Sequence, residues 1–268
     1  MPVEQLEDLG DPRLEDYKHL REPSRRMGLE RDRGIFTVEG RLSVQVLLES
    51  SYRVRSVLVS SNHLERLRPL VPPEVLLLTL PAREIESVSG VHFHRGVLAV
   101  AERPAPTPVG DLTGNASRVL VLEAVSDHEN IGSLFRNAAA FGVDAVLLDP
   151  RCADPLYRRS TRVSLGHVLR VPFTRVDEQE WPHVLGDLSG AGILTVALTP
   201  AGDTLLGDLV GEAPERWALV VGAEGPGLTD AALASAARRV RIPIAAGVDS
   251  VNVATAAAIA LSALHGWR

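Results

Sequence analysis

Short apolar runs separated by amphipathic stretches recur along the whole chain. In the first hundred residues the runs at 35–38, 54–59, 75–80 and 96–100 are rich in valine, isoleucine and leucine, and their length and composition predict strands. Apolar positions at helical spacing between them predict helices at about 41–50, 63–70 and 83–89. Alternation of this kind predicts a small α/β domain. Further on, apolar strands are expected at 119–122, 145–148, 193–198, 217–221 and 240–244. An amphipathic helix is expected over 130–141, and an alanine-rich helix over 251–265. Near-continuously apolar strands with intervening helices predict a mostly parallel sheet covered on both faces.

The clearest seam is Glu102-Arg103-Pro104-Ala105-Pro106-Thr107-Pro108, where closely spaced prolines preclude helix and disfavour a central strand. The expected organisation is an N-terminal α/β domain with an N-terminal extension at 1–103, a proline-rich linker at 104–117 and a larger α/β domain at 118–268. No internal repeat or low-complexity tract interrupts it.

Composition narrows the class. Hydrophobic residues make up 45% of the 268 residues and charged residues 23%, as in an ordinary soluble globular protein. The single cysteine, Cys152, excludes an intramolecular disulfide and a cysteine metal cluster, which suits a reducing cytoplasm. The first twenty residues are acidic, unlike a signal peptide, and no window approaches the ~18 apolar residues of a membrane span. A cytoplasmic protein with no membrane partner is expected. His92 and His94 stand in an H-x-H spacing with no carboxylate or cysteine close by, so both read as structural and no metal site is expected. The formal net charge of −6 does not suggest a nucleic-acid partner, but its distribution matters more than its sum. Between 151 and 175 stand Arg151, Arg158, Arg159, Arg162, Arg170 and Arg175, opposed within that stretch only by Asp154. Arginine suits bidentate contact with phosphate. A second basic cluster, Arg21, Arg25, Arg26, Arg31 and Arg33, is diluted by Glu22, Glu30 and Asp32.

Three motifs carry candidate chemistry. The first runs from Val125 to Gly142, follows a strand and opens a helix whose apolar stripe is Ile131, Leu134, Phe135, Ala138 and Phe141. Asn130 stands where a helix cap belongs, and Gly132 and Arg136 lie one turn apart on another face. Glycine early in a helix costs up to ~1 kcal/mol relative to alanine, so close approach of a ligand or backbone is expected there. In the second motif the strand Trp217 to Val221 runs into Gly222-Ala223-Glu224-Gly225-Pro226-Gly227. The order is neither a dinucleotide fingerprint nor a phosphate loop. Its glycines would let backbone groups approach a flat ligand such as adenine. The third runs Arg241-Ile242-Pro243-Ile244 through Gly247 to Ser250-Val251-Asn252-Val253, with Ser250 placed to cap the last helix and Asn252 in its first turn.

In this order near the C-terminus, the three motifs resemble the signatures of the SpoU family, in the SPOUT superfamily of RNA methyltransferases. Asn130, Gly132 and Arg136 match its first motif and Gly222 to Gly227 its G-x-E-G-x-G. Ile242-Pro243-Ile244 and Ser250-Val251-Asn252-Val253 match I-P-M and S-L-N-V, with conservative changes. Phe36-Thr37-Val38-Glu39-Gly40 looks, more loosely, like the start of the family's N-terminal substrate-binding domain. The resemblance implies a C-terminal α/β trefoil-knot domain with a mostly parallel sheet behind a small α/β RNA-binding domain. It also implies a homodimer and S-adenosyl-L-methionine as methyl donor without a metal. The activity implied is 2′-O-methylation of a ribose in rRNA or tRNA. Cofactor contacts would fall on Gly222, Ile242 and Val251, and the catalytic positions on Asn130, Arg136, Glu224, Ser250 and Asn252. Arg158, Arg159 and Arg162 become RNA-contact candidates.

Proposals for the family make the equivalent of Arg136 a general base. A guanidinium has a pKa above ~12, so neutralising it near pH 7 costs about 7–9 kcal/mol. An adjacent phosphate raises that pKa further. The alternative is a charged Arg136 that clamps the phosphate beside the target ribose. Two other classes compete with the enzyme reading: a noncatalytic RNA-binding or ribosome-assembly factor on the same fold, and a small-molecule enzyme on an open α/β sheet. Joint retention of Asn130, Arg136, Glu224, Ser250 and Asn252 speaks against the first, and the absence of a nucleotide fingerprint against the second.

Overall fold

The computed structural model describes residues 3–92, 96–212 and 214–265. His94 of the H-x-H pair lies outside them. The chain forms two compact units, Met1–Ala105 with Leu156–Arg170, and Pro106–Pro155 with Val171–Arg268.

The first unit is built on a five-stranded sheet of β1 (Val3–Gln5), β2 (Ile35–Glu39), β3 (Val54–Ser60), β4 (Leu76–Leu80) and β5 (Val97–Glu102), in the order β1-β4-β3-β5-β2. The pairs β1/β4 and β3/β4 are parallel, while β3/β5 and β2/β5 are antiparallel. The N-terminal extension is ordered by burial: Leu6, Leu14, Tyr17 and Leu20 join Ile35, Leu58, Leu78 and Leu98 in one core. The Tyr17 hydroxyl lies 2.7 Å from Ser56 Oγ, and burial holds its pKa well above the usual phenol range.

Of the diluted basic cluster, Arg25, Arg26, Arg31 and Arg33 lie on the helix Pro23–Arg33, ended by Gly34 in the left-handed conformation. Arg26 points inward from it. Its guanidinium donates to Glu30 Oε1 (2.9 Å), to the carbonyls of Asp16 (2.7 Å) and Lys18 (3.0 Å), and to Thr37 Oγ1. Both members of the Arg26–Glu30 pair are about 2% exposed.

Leu156–Arg170, expected in the second domain, packs with the first unit. Arg158 pairs with Glu39 and donates to Leu20 O (3.2 Å), and Arg170 pairs with Glu49 at 3.0 Å. Gly166, at φ +85°, lies so close to the helix Arg41–Leu48 that a Cβ would sit 2.9 Å from Val46 Cβ and 3.0 Å from Ser43 Cα.

The second unit holds seven strands, all paired in parallel: β6 (Arg118–Glu123), β7 (Ala145–Leu148), β8 (Phe173–Arg175), β9 (Leu194–Leu198), β10 (Thr204–Leu205), β11 (Trp217–Gly222) and β12 (Arg238–Arg241). Their order is β10-β12-β9-β11-β6-β7-β8. Leu120, Val121, Leu147, Leu219 and Val220 are fully buried, the outcome expected of apolar strands covered on both faces. The sequence missed β8 and β10, which are too short to show a pattern. It also ran β12 on to residue 244, whereas Pro243 cannot donate to a ladder and the strand stops at Arg241. The expected linker is extended only at its start, since Val109–Thr113 is helical and Ala116 is buried. The final helix, Val253–His265, packs against the helix His128–Ala140 and β11. Among the described residues no helix is long and apolar enough to cross a membrane.

Arg26→Ala would strand a buried carboxylate and two carbonyls. Urea denaturation should show a loss of about 3–5 kcal/mol, the cost of breaking a buried pair by removing one partner.

Candidate active site

The carboxyl ends of β6 and β11 lie side by side, with Glu123 in register with Gly222. Ala124, directly after β6, holds a left-handed φ of 54°, and its N–H donates to Asp149 Oδ1 at 2.9 Å. A non-glycine residue in that region is strained and is held there by its surroundings. Three residues on, Asp127 caps the helix His128–Ala140, its Oδ1 accepting the N–H groups of Glu129 (2.6 Å) and Asn130 (3.1 Å). The cap is therefore Asp127 and not Asn130. The helix starts two residues earlier than its apolar stripe suggested, which frees the Asn130 side chain for another partner.

After β11 the chain folds back on itself. Gly227 N–H donates to Ala223 O at 3.0 Å, and Gly225 and Gly227 adopt φ of 85° and 71°. A Cβ on Gly222 would lie 2.4 Å from the carbonyl carbon of Gly227. The first glycine is thus required by the loop's own return, the plain tight turn that the sequence also allowed beside ligand approach. Glu224 is carried on this loop, within reach of solvent.

The third motif leaves β12 at Arg241. Over 242–251 it forms one backbone hydrogen bond among the described residues, Val248 N–H to Ala245 O at 3.3 Å. Ile242 is half-buried, and Ile244, Val248 and Val251 are exposed. Ser250, expected to cap the final helix, does not. Asn252 Oδ1 accepts the N–H groups of Ala254 (2.9 Å) and Thr255 (3.2 Å), and the helix begins at Val253.

Asn252 joins the three motifs. Two backbone N–H groups at the helix start can be met only by its oxygen, so its amide nitrogen must face the other way. That nitrogen donates to Asn130 Oδ1 at 2.9 Å and to Glu224 Oε1 at 2.5 Å. The same logic turns the Asn130 amide nitrogen away from Asn252. The junction is braced by Asn137 Nδ2, which donates to Ala254 O at 2.8 Å across the two helices. Of the expected site residues, Asn130, Glu224 and Asn252 are thus in direct contact. Gly222 and Val251 are near neighbours of that cluster in the chain, and Ile242 opens the stretch leading to it. Ser250 is exposed and stands outside this hydrogen-bonded cluster. Arg136 is exposed nearly two turns along the helix from Asn130, and Gly132 is buried.

The arginine cluster is corrected by the structure in one respect: acidic residues distant in sequence answer much of it. Besides the Glu39 and Glu49 pairs, Arg162 lies 4.0 Å from Glu39, and Arg151 reaches Asp149 at 2.9 Å and Glu123 at 3.3 Å. Arg175 donates to the carbonyls of Asp149 (2.9 Å) and Pro150 (3.0 Å). Arg159 is exposed. Burial pushes the Cys152 thiol up to about 12, so it carries no thiolate at neutral pH. His92 Nδ1 lies 3.9 Å from Glu86 Oε1, and among the described residues no three His, Cys, Asp or Glu side chains cluster as metal ligands. Sequence reasoning passed over Glu123 and Asp149, both fully buried at strand ends under this site. A carboxylate closing an apolar parallel strand was the available signal.

Comparison with known proteins identifies the family. The profile of the SpoU rRNA Methylase family matches residues 117–262. An uncharacterized tRNA/rRNA methyltransferase of Mycobacterium bovis is 43% identical over 263 residues, 97% of this chain and 91% of that protein. The 23S rRNA (guanosine(2553)-2′-O)-methyltransferase RlmP of Bacillus subtilis is 26% identical over 98% of this chain and 100% of its own length. In fold, the SpoU methyltransferase AviRb of Streptomyces viridochromogenes, solved with the cofactor AdoMet, superposes with a TM-score of 0.79 at 23% identity over 95% of this chain and 98% of its own. The chain belongs to the SpoU rRNA Methylase family.

Proposed function

We propose that this protein methylates a ribose 2′-hydroxyl in rRNA or tRNA, with S-adenosyl-L-methionine as donor. The observation that carries the reading is the Asn252 amide, which binds Asn130 of the first motif and Glu224 of the second while capping the helix of the third. The 2′-O specificity in RlmP's name and the cofactor bound to AviRb point the same way.

The residues present suit such a cofactor. Exposed Ile244, Val248 and Val251, with half-buried Ile242, offer an apolar surface for adenine. The backbone of 242–251, largely uncommitted among the described hydrogen bonds, and that of the loop after Gly222 offer donors and acceptors for the polar edge. The donor supplies a methyl group on a sulfonium, a centre that needs an aligned hydroxyl nucleophile. On the protein side, Glu224 would bring a carboxylate to such a centre and Asn130 an amide nitrogen turned away from Asn252. Ser250 adds an exposed hydroxyl from the 242–251 stretch. Asn252, with its oxygen accepting twice and its nitrogen donating twice, has no capacity left for substrate and serves as a positioning residue. Charged Arg136 clamps the phosphate beside the target ribose. Arg159 and Arg162 contact RNA elsewhere, and Arg158 is kept for its tie to Glu39.

Two further parts of the reading concern architecture. The C-terminal stretch is threaded as a trefoil knot, a rare exception to unknotted topology. Supporting it, the chain leaves β12 beyond β9 and returns to pack its last helix against the helix that follows β6. The protein is a homodimer through this domain, and Ile259, exposed on the last helix, belongs to the face a second copy covers. Ile259→Glu should then shift the sedimenting species to a monomer.

The decisive experiment incubates the protein with methyl-labelled S-adenosyl-L-methionine and RNA from cells lacking it. Label is expected in alkali-resistant dinucleotides, because a methylated 2′-oxygen cannot attack the neighbouring phosphate. Label released with free bases, or none transferred, overturns the reading. Arg136→Lys removes the fork geometry and should cut kcat/KM by at least about a hundredfold, a loss typical of misplaced reactants. Activity within a few-fold of the parent would exclude the clamp. Asn252→Ser keeps an oxygen for the helix cap but loses the amide nitrogen. Tm should change little while activity falls by about a hundredfold, as a displaced Asn130 or Glu224 would cause. Replacing Arg159 and Arg162 together by Ala should lower the slope of log K against log salt by about 0.7–0.9 for each phosphate no longer neutralised.

A further inference from the structure

We infer that Glu123 is a positioning residue that fixes the glycine-rich loop 223–228 in its cofactor-competent shape. The inference rests on the reading of that loop as part of the S-adenosyl-L-methionine site. Glu123 ends β6, is fully buried, and stands in register with Gly222, the last residue of β11. The loop that starts after Gly222 ends at Thr229, where Glu123 grips the chain again. The Thr229 N–H donates to Glu123 Oε2 and the Thr229 hydroxyl to Oε1, each at 2.8 Å. Both ends of the loop are therefore tied to one residue, by the strand ladder on one side and by a two-point carboxylate contact on the other.

The carboxylate is held in turn. Oε1 also accepts the indole N–H of Trp181 at 3.1 Å and lies 3.3 Å from Arg151 Nη2. Arg151 is itself bound to buried Asp149 at 2.9 Å, and Asp149 Oδ1 accepts the N–H of strained Ala124. Two buried carboxylates, joined through the exposed Arg151, thus underlie the glycine-rich loop and the entry to the Asn130 helix. A carboxylate can accept from every side, and all four of these groups are donors. A glutamine would turn an N–H toward one of those donors, and a buried unmatched donor is costly. The loop end would move, taking Glu224 with it.

The test measures S-adenosyl-L-methionine affinity by calorimetry and amide exchange by mass spectrometry on the parent, Glu123→Gln, Thr229→Val and Thr229→Ser. Glu123→Gln should weaken cofactor binding at least tenfold and leave RNA affinity within twofold. Its faster amide exchange should be confined to 223–229, with β6 and β11 still protected. Thr229→Val, which keeps the backbone contact and loses the hydroxyl, should weaken binding less, and Thr229→Ser should match the parent. The double variant Glu123→Gln/Thr229→Val should bind no worse than Glu123→Gln alone, since the other contact of the Thr229 hydroxyl, accepting Ala232 N–H at 3.2 Å, lies in the helix beyond the loop. Parent-like binding by Glu123→Gln overturns the inference, and so does exchange that rises equally throughout β6 and β11. If Glu123→Gln does not fold, parent-like binding by Thr229→Val overturns it instead. A parent protein that fails to bind the cofactor would sink the proposed function, an outcome separate from these.

Discussion

The site depends on how one amide is shared. Asn252 cannot be rotated to suit another partner, because its oxygen is claimed by two N–H groups at the start of the last helix. Its nitrogen is left to meet Asn130 and Glu224, one from the helix after β6 and one from the loop after β11. One side chain thus both caps the last helix and holds the site together. A cap is worth about 1 kcal/mol in stability. Here it also sets the rotamers of two side chains that lie far apart in the sequence, and no local interaction could do that.

Much of the fold was legible because apolar periodicity is a local property. The strands at 119–122, 145–148 and 217–221 were found where burial on both faces left no polar position to blur them. Whole helices escaped, such as Pro23–Arg33 and Val184–Gly190, and so did two further kinds of feature. β8 and β10 are three and two residues long, too short for a period to register. Helix starts and caps were displaced because several residues near each start could cap it. Ser126, Asp127 and Asn130, or Ser250 and Asn252, are chemically equivalent until the register of the helix is known. The motifs held Asn130, Glu224 and Asn252, which the structure joins by hydrogen bonds, but assigned the capping role to Asn130 and Ser250 where Asp127 and Asn252 perform it.

Charge was less legible than hydrophobicity for a related reason. The arginines between 151 and 175 look unopposed because sequence shows only near neighbours. Glu39 and Glu49, distant in sequence, meet Arg158 and Arg170 in the first unit. A run of like charges in a folded chain is a demand for partners, and those partners can be protein as readily as phosphate. Arg158 shows the first case: it is largely covered and committed to Glu39.

The same distinction explains how the site can be both open and ordered. Its tips, Glu224, Ser250 and the exposed apolar residues of 242–251, lie where a ligand can reach them. Their bases are buried: Glu123 and Asp149 at the ends of β6 and β7, and the ladder that pairs Gly222 with Glu123. A binding group on a loop is only as well placed as the residues that fix the ends of the loop. Buried carboxylates suit that task because each accepts several hydrogen bonds, and removing one partner leaves a costly unmatched group. The chain therefore spends its buried charge beneath the loops and leaves polar groups on the loops open to solvent. On this argument the residues that set the precision of methyl transfer include carboxylates that never touch either ligand.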